Sequence, residues 1–251
     1  MFFHLLRRPA LWLCAALAMT PAVQAQAGIV LNTTRVIYPA TDKEVSLQVH
    51  NTGTSEILAQ SWLEADNESP SASHPLFVIT PALARLAGNA KQLIRIIYAG
   101  EGLPNDRESV LWLNVQEIPQ VARENELQIA IRQRIKLFYR PRGLTEDPLQ
   151  AAQALQWQLR DGQLEVVNPG PYHVSMIKLS AAHRGEVAFE QDSRMLTPHS
   201  RVRFPLKEGR RNDLLDLTFI SINDFGGQEA YRAKVSTDRP TQATKSESRP
   251  D

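Results

Sequence analysis

An all-β chain folded as two sandwiches of about 100 residues each is what this sequence predicts, and three observations predict it. Short runs rich in β-branched and aromatic residues recur along the 251 residues. Clusters of Gly, Pro, Asn and Asp punctuate them, and no long stretch carries the 3.6-residue apolar period of a helix. Pro141-Arg142-Gly143, which cannot readily continue a ladder, splits the runs into two blocks.

The elements follow in order. Arg7 and Arg8 precede an apolar run of ten residues, 10–19, and then Ala25-Gln26-Ala27. This is the layout of an export signal, too short to span a bilayer that needs roughly 20 apolar residues. We expect residues 1–27 to be removed, with cleavage after Ala25 as the alternative. The one cysteine, Cys14, leaves with the signal, so the exported chain has no disulfide, thiol chemistry or lipid-bearing Cys. In the first block (28–140), Val45, Leu47 and Val49 alternate with Ser46, Gln48 and His50 before the Asn51-Thr52-Gly53 turn. Runs at 57–64, 76–80, 91–98, 110–118 and 127–139 read as strands, and the Ser-rich stretch 66–75 as a loop. After the hinge (141–143), the second block (144–236) has a helical turn near 150–154. Strands follow at 155–160 and 163–167 around the Asp161-Gly162 hairpin signal, then at 172–180, 214–222 and 229–235. Residues 237–251 are polar and charged with two prolines, and read as a disordered tail.

The chemistry signatures point away from catalysis. No G-x-S-x-G, G-x-G-x-x-G, P-loop or H-E-x-x-H is present. His50, His74, His173, His183 and His199 are scattered without ligand spacing and read as surface or strand-edge residues. No metal and no cofactor is expected. Lys and Arg total 28 against 27 acids; loss of the signal removes two arginines and leaves a charge of −1. The segment LQIAIRQRIKLFYRP (127–141) places Leu127, Ile129 and Ile131 on one strand face. It also carries Arg132, Arg134, Lys136 and Arg140 without an acid. A basic stripe can bind nucleic acid, but the neutral whole and the lack of exposed stacking aromatics argue against it.

Five motifs together resemble the periplasmic chaperones of the chaperone–usher pilus pathway: NTTRVIYP (32–39), PNDRESVLWLNVQEIP (104–119), LQIAIRQRIKLFYRP, NPGPYHV (168–174) and INDFGG (222–227). They span both blocks in the family's order. The resemblance implies two immunoglobulin-like sandwiches in an L-shape with a cleft between them, and a partner that is a pilin subunit lacking its last strand. Leu127, Ile129 and Ile131 would be lent to that subunit as a donor strand, with alternate side chains filling its open groove. Arg35 and Lys136 would hold the subunit's terminal carboxylate, and Glu108, Arg140 and Asp224 would link the domains. An outer-membrane usher would receive the subunit. Only residues 120–126 separate Pro119 from Leu127, which resembles the short-loop class, whose clients form rods with adhesive tips. The resemblance implies no enzyme, no nucleic acid and no membrane insertion; the exposed apolar strand adds an expectation of reversible self-dimerisation. Lys136 lies opposite Leu127, Ile129 and Ile131 by parity, so a twist or bulge is expected to reconcile them. The competing reading is an exported surface- or carbohydrate-binding sandwich.

Overall fold

The computed structural model describes residues 28–65, 77–120, 128–207 and 214–246. The first sandwich comprises β1 (Ile29–Leu31), β2 (Arg35–Pro39), β3 (Val45–Asn51), β4 (Ile57–Ala65), β5 (Phe77–Thr80), β6 (Leu83–Leu86), β7 (Lys91–Tyr98), β8 (Ser109–Ile118) and β9 (Arg132–Arg140). One sheet runs β1-β3-β7-β5 and the other β2-β9-β8-β4-β6. Their inner faces follow the period of two: Leu47, Val49, Ile94, Ile96, Leu113, Val115 and Leu137 are all sealed between the sheets. Tyr38, Phe77, Tyr98 and Tyr139 close one end as a ring cluster.

A 3-10 turn (Pro148–Gln150), capped by Asp147, leads into α1 (Ala151–Ala154). The second sandwich follows: β10 (Gln156–Arg160), β11 (Gln163–Val167), β12 (Val174–His183), β13 (Glu186–Leu196), β14 (Arg201–Pro205), β15 (Leu215–Ile222), β16 (Gln228–Val235), β17 (Thr241–Gln242) and β18 (Thr244–Lys245). Its sheets are β14-β11-β10-β17 and β13-β12-β15-β16-β18, packed over Trp157, Phe219 and Tyr231. Asp161 and Gly162 both take positive φ, 51° and 72°, as a two-residue hairpin with right-handed strand twist requires.

Two expectations need correcting, and one strand had no expectation to correct. The stretch read as a disordered tail is built in as far as residue 246: β17 pairs with β10, β18 pairs with β16, and Ala243 between them is fully buried. Two short edge pairings and one small side chain leave no apolar run to detect. The long run at 127–139 becomes a strand only from Arg132. β13 was not anticipated at all, because only Ala188 and Leu196 of its 11 residues are buried. Its conformation comes from its pairing with β12 rather than from its own pattern. Among the described residues, no helix is long and apolar enough to cross a membrane.

Candidate functional site

The site grows from one unusual pairing. β2 lies parallel to β9 in an otherwise antiparallel sheet, and the register sets Arg35 opposite Lys136, Ile37 opposite Phe138 and Pro39 opposite Arg140. Val36 and Tyr38 on β2, and Leu137 and Tyr139 on β9, face the core. Arg35, Lys136, Phe138 and Arg140 therefore share the opposite face, which the second domain meets. Two cations 101 positions apart in sequence thus become side-by-side neighbours.

Each reaches across to the second domain. The Arg35 Nη1 donates to the Ile222 carbonyl at 2.8 Å, and the Lys136 Nζ donates to the Ser175 Oγ at 3.2 Å. Arg35 is 8% exposed, and its Nε has no hydrogen-bond partner among the described residues. Burial holds its pKa below the ordinary arginine value, opposed by the charges of Asp224 and Glu108. On the Lys136 side opens a cleft of about 330 Å³ lined by Trp112, Lys136, Ser175, Met176, Arg194 and Ile222; Arg35 lines a separate, smaller recess with Ile222. A buried cation with a donor to spare, next to a second cation, suits an anion small enough to contact both.

The strand edge beyond this pair is open. β2 covers only residues 136–140 of β9, so residues 132–135 have no strand on that side among the described residues. Further along, the Ile131 carbonyl accepts from the Glu117 N–H at 2.9 Å, continuing the ladder with β8. Ile129 is 70% exposed and Ile131 38% exposed. They are not sealed beneath the opposing sheet; Leu127 lies outside the described residues.

The expected bulge is absent. The β8–β9 register runs without a shift from Gln116↔Arg132 to Ser109↔Tyr139. Lys136 and Ile131 stay on opposite faces of that ladder. The basic stripe is also accounted for. The Arg134 guanidinium sits 4.1 Å over the Trp112 ring and Arg132 4.9 Å over Trp62, each also near Glu64.

Glu108, Arg140 and Asp224 are brought together as one bridge. The Arg140 Nε donates to Glu108 Oε2 at 2.7 Å, while Nη1 and Nη2 donate to the two Asp224 oxygens at 2.6 and 2.7 Å. Burial alone would lower the Arg140 pKa, but Asp224 and Glu108 outweigh it and hold it above the ordinary value. The INDFGG corner presents Asp224 through its own chemistry. Asn223 Oδ1 accepts the N–H groups of Phe225 and Gly227, and Gly226 turns at φ +80° with no room for a Cβ beside Thr34 Oγ1. Sequence reasoning missed the fourth member. His173, read as a surface or strand-edge residue, directly precedes β12 with its side chain only 4% exposed, and it meets Glu108 Oε1 through both its backbone N–H (2.9 Å) and its ring Nδ1 (2.8 Å). Its place in NPGPYHV, just after the turn, was the available signal. No cluster of three or more His, Cys, Asp or Glu residues with metal-holding geometry occurs among the described residues.

Known proteins share this layout. Residues 28–145 match the family described as pili and flagellar-assembly chaperone, PapD N-terminal domain, and residues 150–233 match the pili assembly chaperone PapD C-terminal domain. The chain belongs to the PapD-like pilus-assembly chaperones. Among curated relatives of this PapD-like chain, the chaperone protein FimB/FhaD of Bordetella pertussis is 38% identical over 234 residues, covering 88% of this chain and 94% of the relative. The probable fimbrial chaperone YadV of Escherichia coli is 37% identical over 250 residues, covering 94% and 100%. The crystal structure of YadV superposes with a TM-score of 0.71 at 36% identity, covering 83% of this chain and all of that one. A Salmonella enterica structure of the SafA pilin in complex with the SafB chaperone matches at TM-score 0.68 and 27% identity, covering 85% and 98%.

Proposed function

We propose that this PapD-like chaperone works in the periplasm by lending the segment around Leu127, Ile129 and Ile131 to a pilin subunit, whose terminal carboxylate it holds between Arg35 and Lys136. The carrying observation is the in-register pairing of those two residues where the edge of β9 becomes free. A strand whose C-terminal carboxylate sits at Lys136 must run back beside residues 135 to 127. It is then parallel to β9, the orientation β2 already has on the same edge. Its open backbone groups would pair with that edge, while Ile129 and Ile131, exposed in the free chain, move from water into the subunit's groove. Seating the carboxylate sets the register, and a slip by one residue would turn every apolar side chain the wrong way.

The subunit so capped would pass to an outer-membrane usher, where a better-fitting strand from the next subunit replaces the donor segment. This scheme needs neither an enzyme site nor a nucleotide. The domain bridge of Glu108, Arg140, Asp224 and His173 would keep the cleft at a fixed width while subunits come and go.

The test is co-expression with a pilin from the same gene cluster, followed by co-purification. Arg35→Ala and Lys136→Ala should each abolish recovery of subunit while leaving the chaperone folded. So should a pilin whose last residue is amidated. Recovery at the wild-type level with either variant would remove the carboxylate anchor from this reading.

A further inference from the structure

One buried carboxylate belongs to none of these devices. Glu117 is the last inward-facing residue of β8, following Leu111, Leu113 and Val115, and it is 7% exposed. Its strand neighbours on either side are Ala59 on β4 and Ile131 at the base of the donor segment. The Ile29 N–H supplies a hydrogen bond to its carboxylate, but Oε2 has no hydrogen-bond partner among the described residues. Burial pushes the pKa of this group up, with that one N–H working against it. A charged group kept in such a place costs stability unless something compensates it.

The compensating group is close by. A Cβ built on Gly28 would lie 1.7 Å from Glu117 Oε2, so the carboxylate packs directly on the Gly28 Cα. The neighbouring backbone is pinned. The Gly28 carbonyl accepts from the Thr52 N–H at 2.9 Å, and the Ile29 carbonyl accepts from Gln133 Nε2 at 2.7 Å. The Gly28 nitrogen, one bond from that Cα, is therefore held beside the orphan oxygen. Ala25-Gln26-Ala27 immediately precedes it, the small-residue pattern at which a signal is cut.

We propose that the signal is removed after Ala27 and that the α-ammonium so freed on Gly28 forms an ion pair with Glu117, locking the end of the first sandwich from which the donor segment leaves. Cleavage is hydrolysis of the Ala27–Gly28 amide: water supplies the hydroxyl to Ala27, and the released amine takes up a proton. Before that step the Gly28 nitrogen is an uncharged amide and cannot neutralise the carboxylate. The uncut chain is then less stable than the processed one, which suits a precursor that must cross a membrane unfolded. After it, the pair ties β1, β8 and β9 together. This inference stands on Gly28 and Glu117 alone and does not depend on how subunits are bound.

The test begins with the intact mass of the protein recovered from the periplasm, which should correspond to a chain starting at Gly28. Thermal unfolding of wild type and Glu117→Gln is then compared in two forms, one starting at Gly28 and one retaining residues 24–27. Gln is isosteric and can still accept the Ile29 N–H. In the form starting at Gly28 the substitution should lower Tm by on the order of 5 °C; in the extended form it should leave Tm unchanged or raise it. A mature chain starting at Gln26, or equal shifts in the two forms, would overturn the proposal.

Discussion

Ile129→Asp separates the lending of a strand from every other use of this surface. In the free chain Ile129 is 70% exposed, so replacing it should change folding stability by less than about 0.5 kcal/mol. In a subunit complex the same side chain would be fully enclosed. Full burial of an isoleucine is worth about 1.5–3 kcal/mol. With 70% of the residue still in water, about 1–2 kcal/mol of that remains to be gained on docking. Aspartate loses this and must also bring a carboxylate into an apolar groove, at a further cost of several kcal/mol. A total near 4 kcal/mol corresponds to a roughly thousandfold rise in Kd. Titration calorimetry against a purified pilin held in a soluble, strand-accepting form measures the Kd, and a thermal scan of the free variant supplies the stability control. Wild-type affinity in the Asp variant would falsify the donor-strand argument. A variant that lost binding because it unfolded would contradict the exposure on which the estimate rests.

Three other outcomes follow from the geometry. Arg140→Met leaves Glu108 (1% exposed side chain) without its guanidinium and frees Asp224, so it should cost about 3 kcal/mol, the low end for a buried pair. Calorimetry should then resolve the two domains as separate transitions, and a single unshifted transition would dismiss the bridge. Deleting residues 241–251 removes the fully buried Ala243 and both short edge pairings. The urea midpoint of the second domain should fall by the equivalent of about 2 kcal/mol; an unchanged midpoint would mean the tail is not integral. Burial tends to raise the pKa of Glu229, but Lys245, Asn223 and Tyr231 outweigh it and hold it below the ordinary carboxylate value. Its stabilising contribution is thus present above the unfolded pKa of about 4.3 and lost as pH falls through the lower folded value. Glu229→Gln should therefore lose less Tm than wild type between pH 5 and pH 3, and parallel acid limbs for the two proteins would count against that assignment.

Several elements could be read before any coordinates because their causes are local. Lys91–Tyr98 is a strand in both readings, since its β-branched and aromatic residues favour one, although only the packed sheet decides that Ile94 and Ile96 point inward while Leu93 stays exposed. The Asp161-Gly162 hairpin depends on two adjacent positive φ values that those residues tolerate. β13 and the strands at 241–245 had no such signal: their conformation is imposed by a neighbouring strand's hydrogen-bonding edge, which composition does not record. His173 was misplaced for a related reason. A histidine after a turn is equally compatible with solvent or with a buried carboxylate, and only the arrival of Glu108 from the other domain decides between them.

By itself, then, the amino-acid order determined two β-blocks, their alternating inner faces, and the residue types able to hold an anion or line an apolar groove. Tertiary structure decided which of those residues meet. The parallel register of β2 on β9 makes neighbours of Arg35 and Lys136, ends where the free edge begins, and leaves Ile129 and Ile131 in water. Periodicity reports which way a side chain points along its own strand. The partner it faces depends on closing loops as long as the 187 residues between Arg35 and Ile222, and that is settled only when both cores are packed.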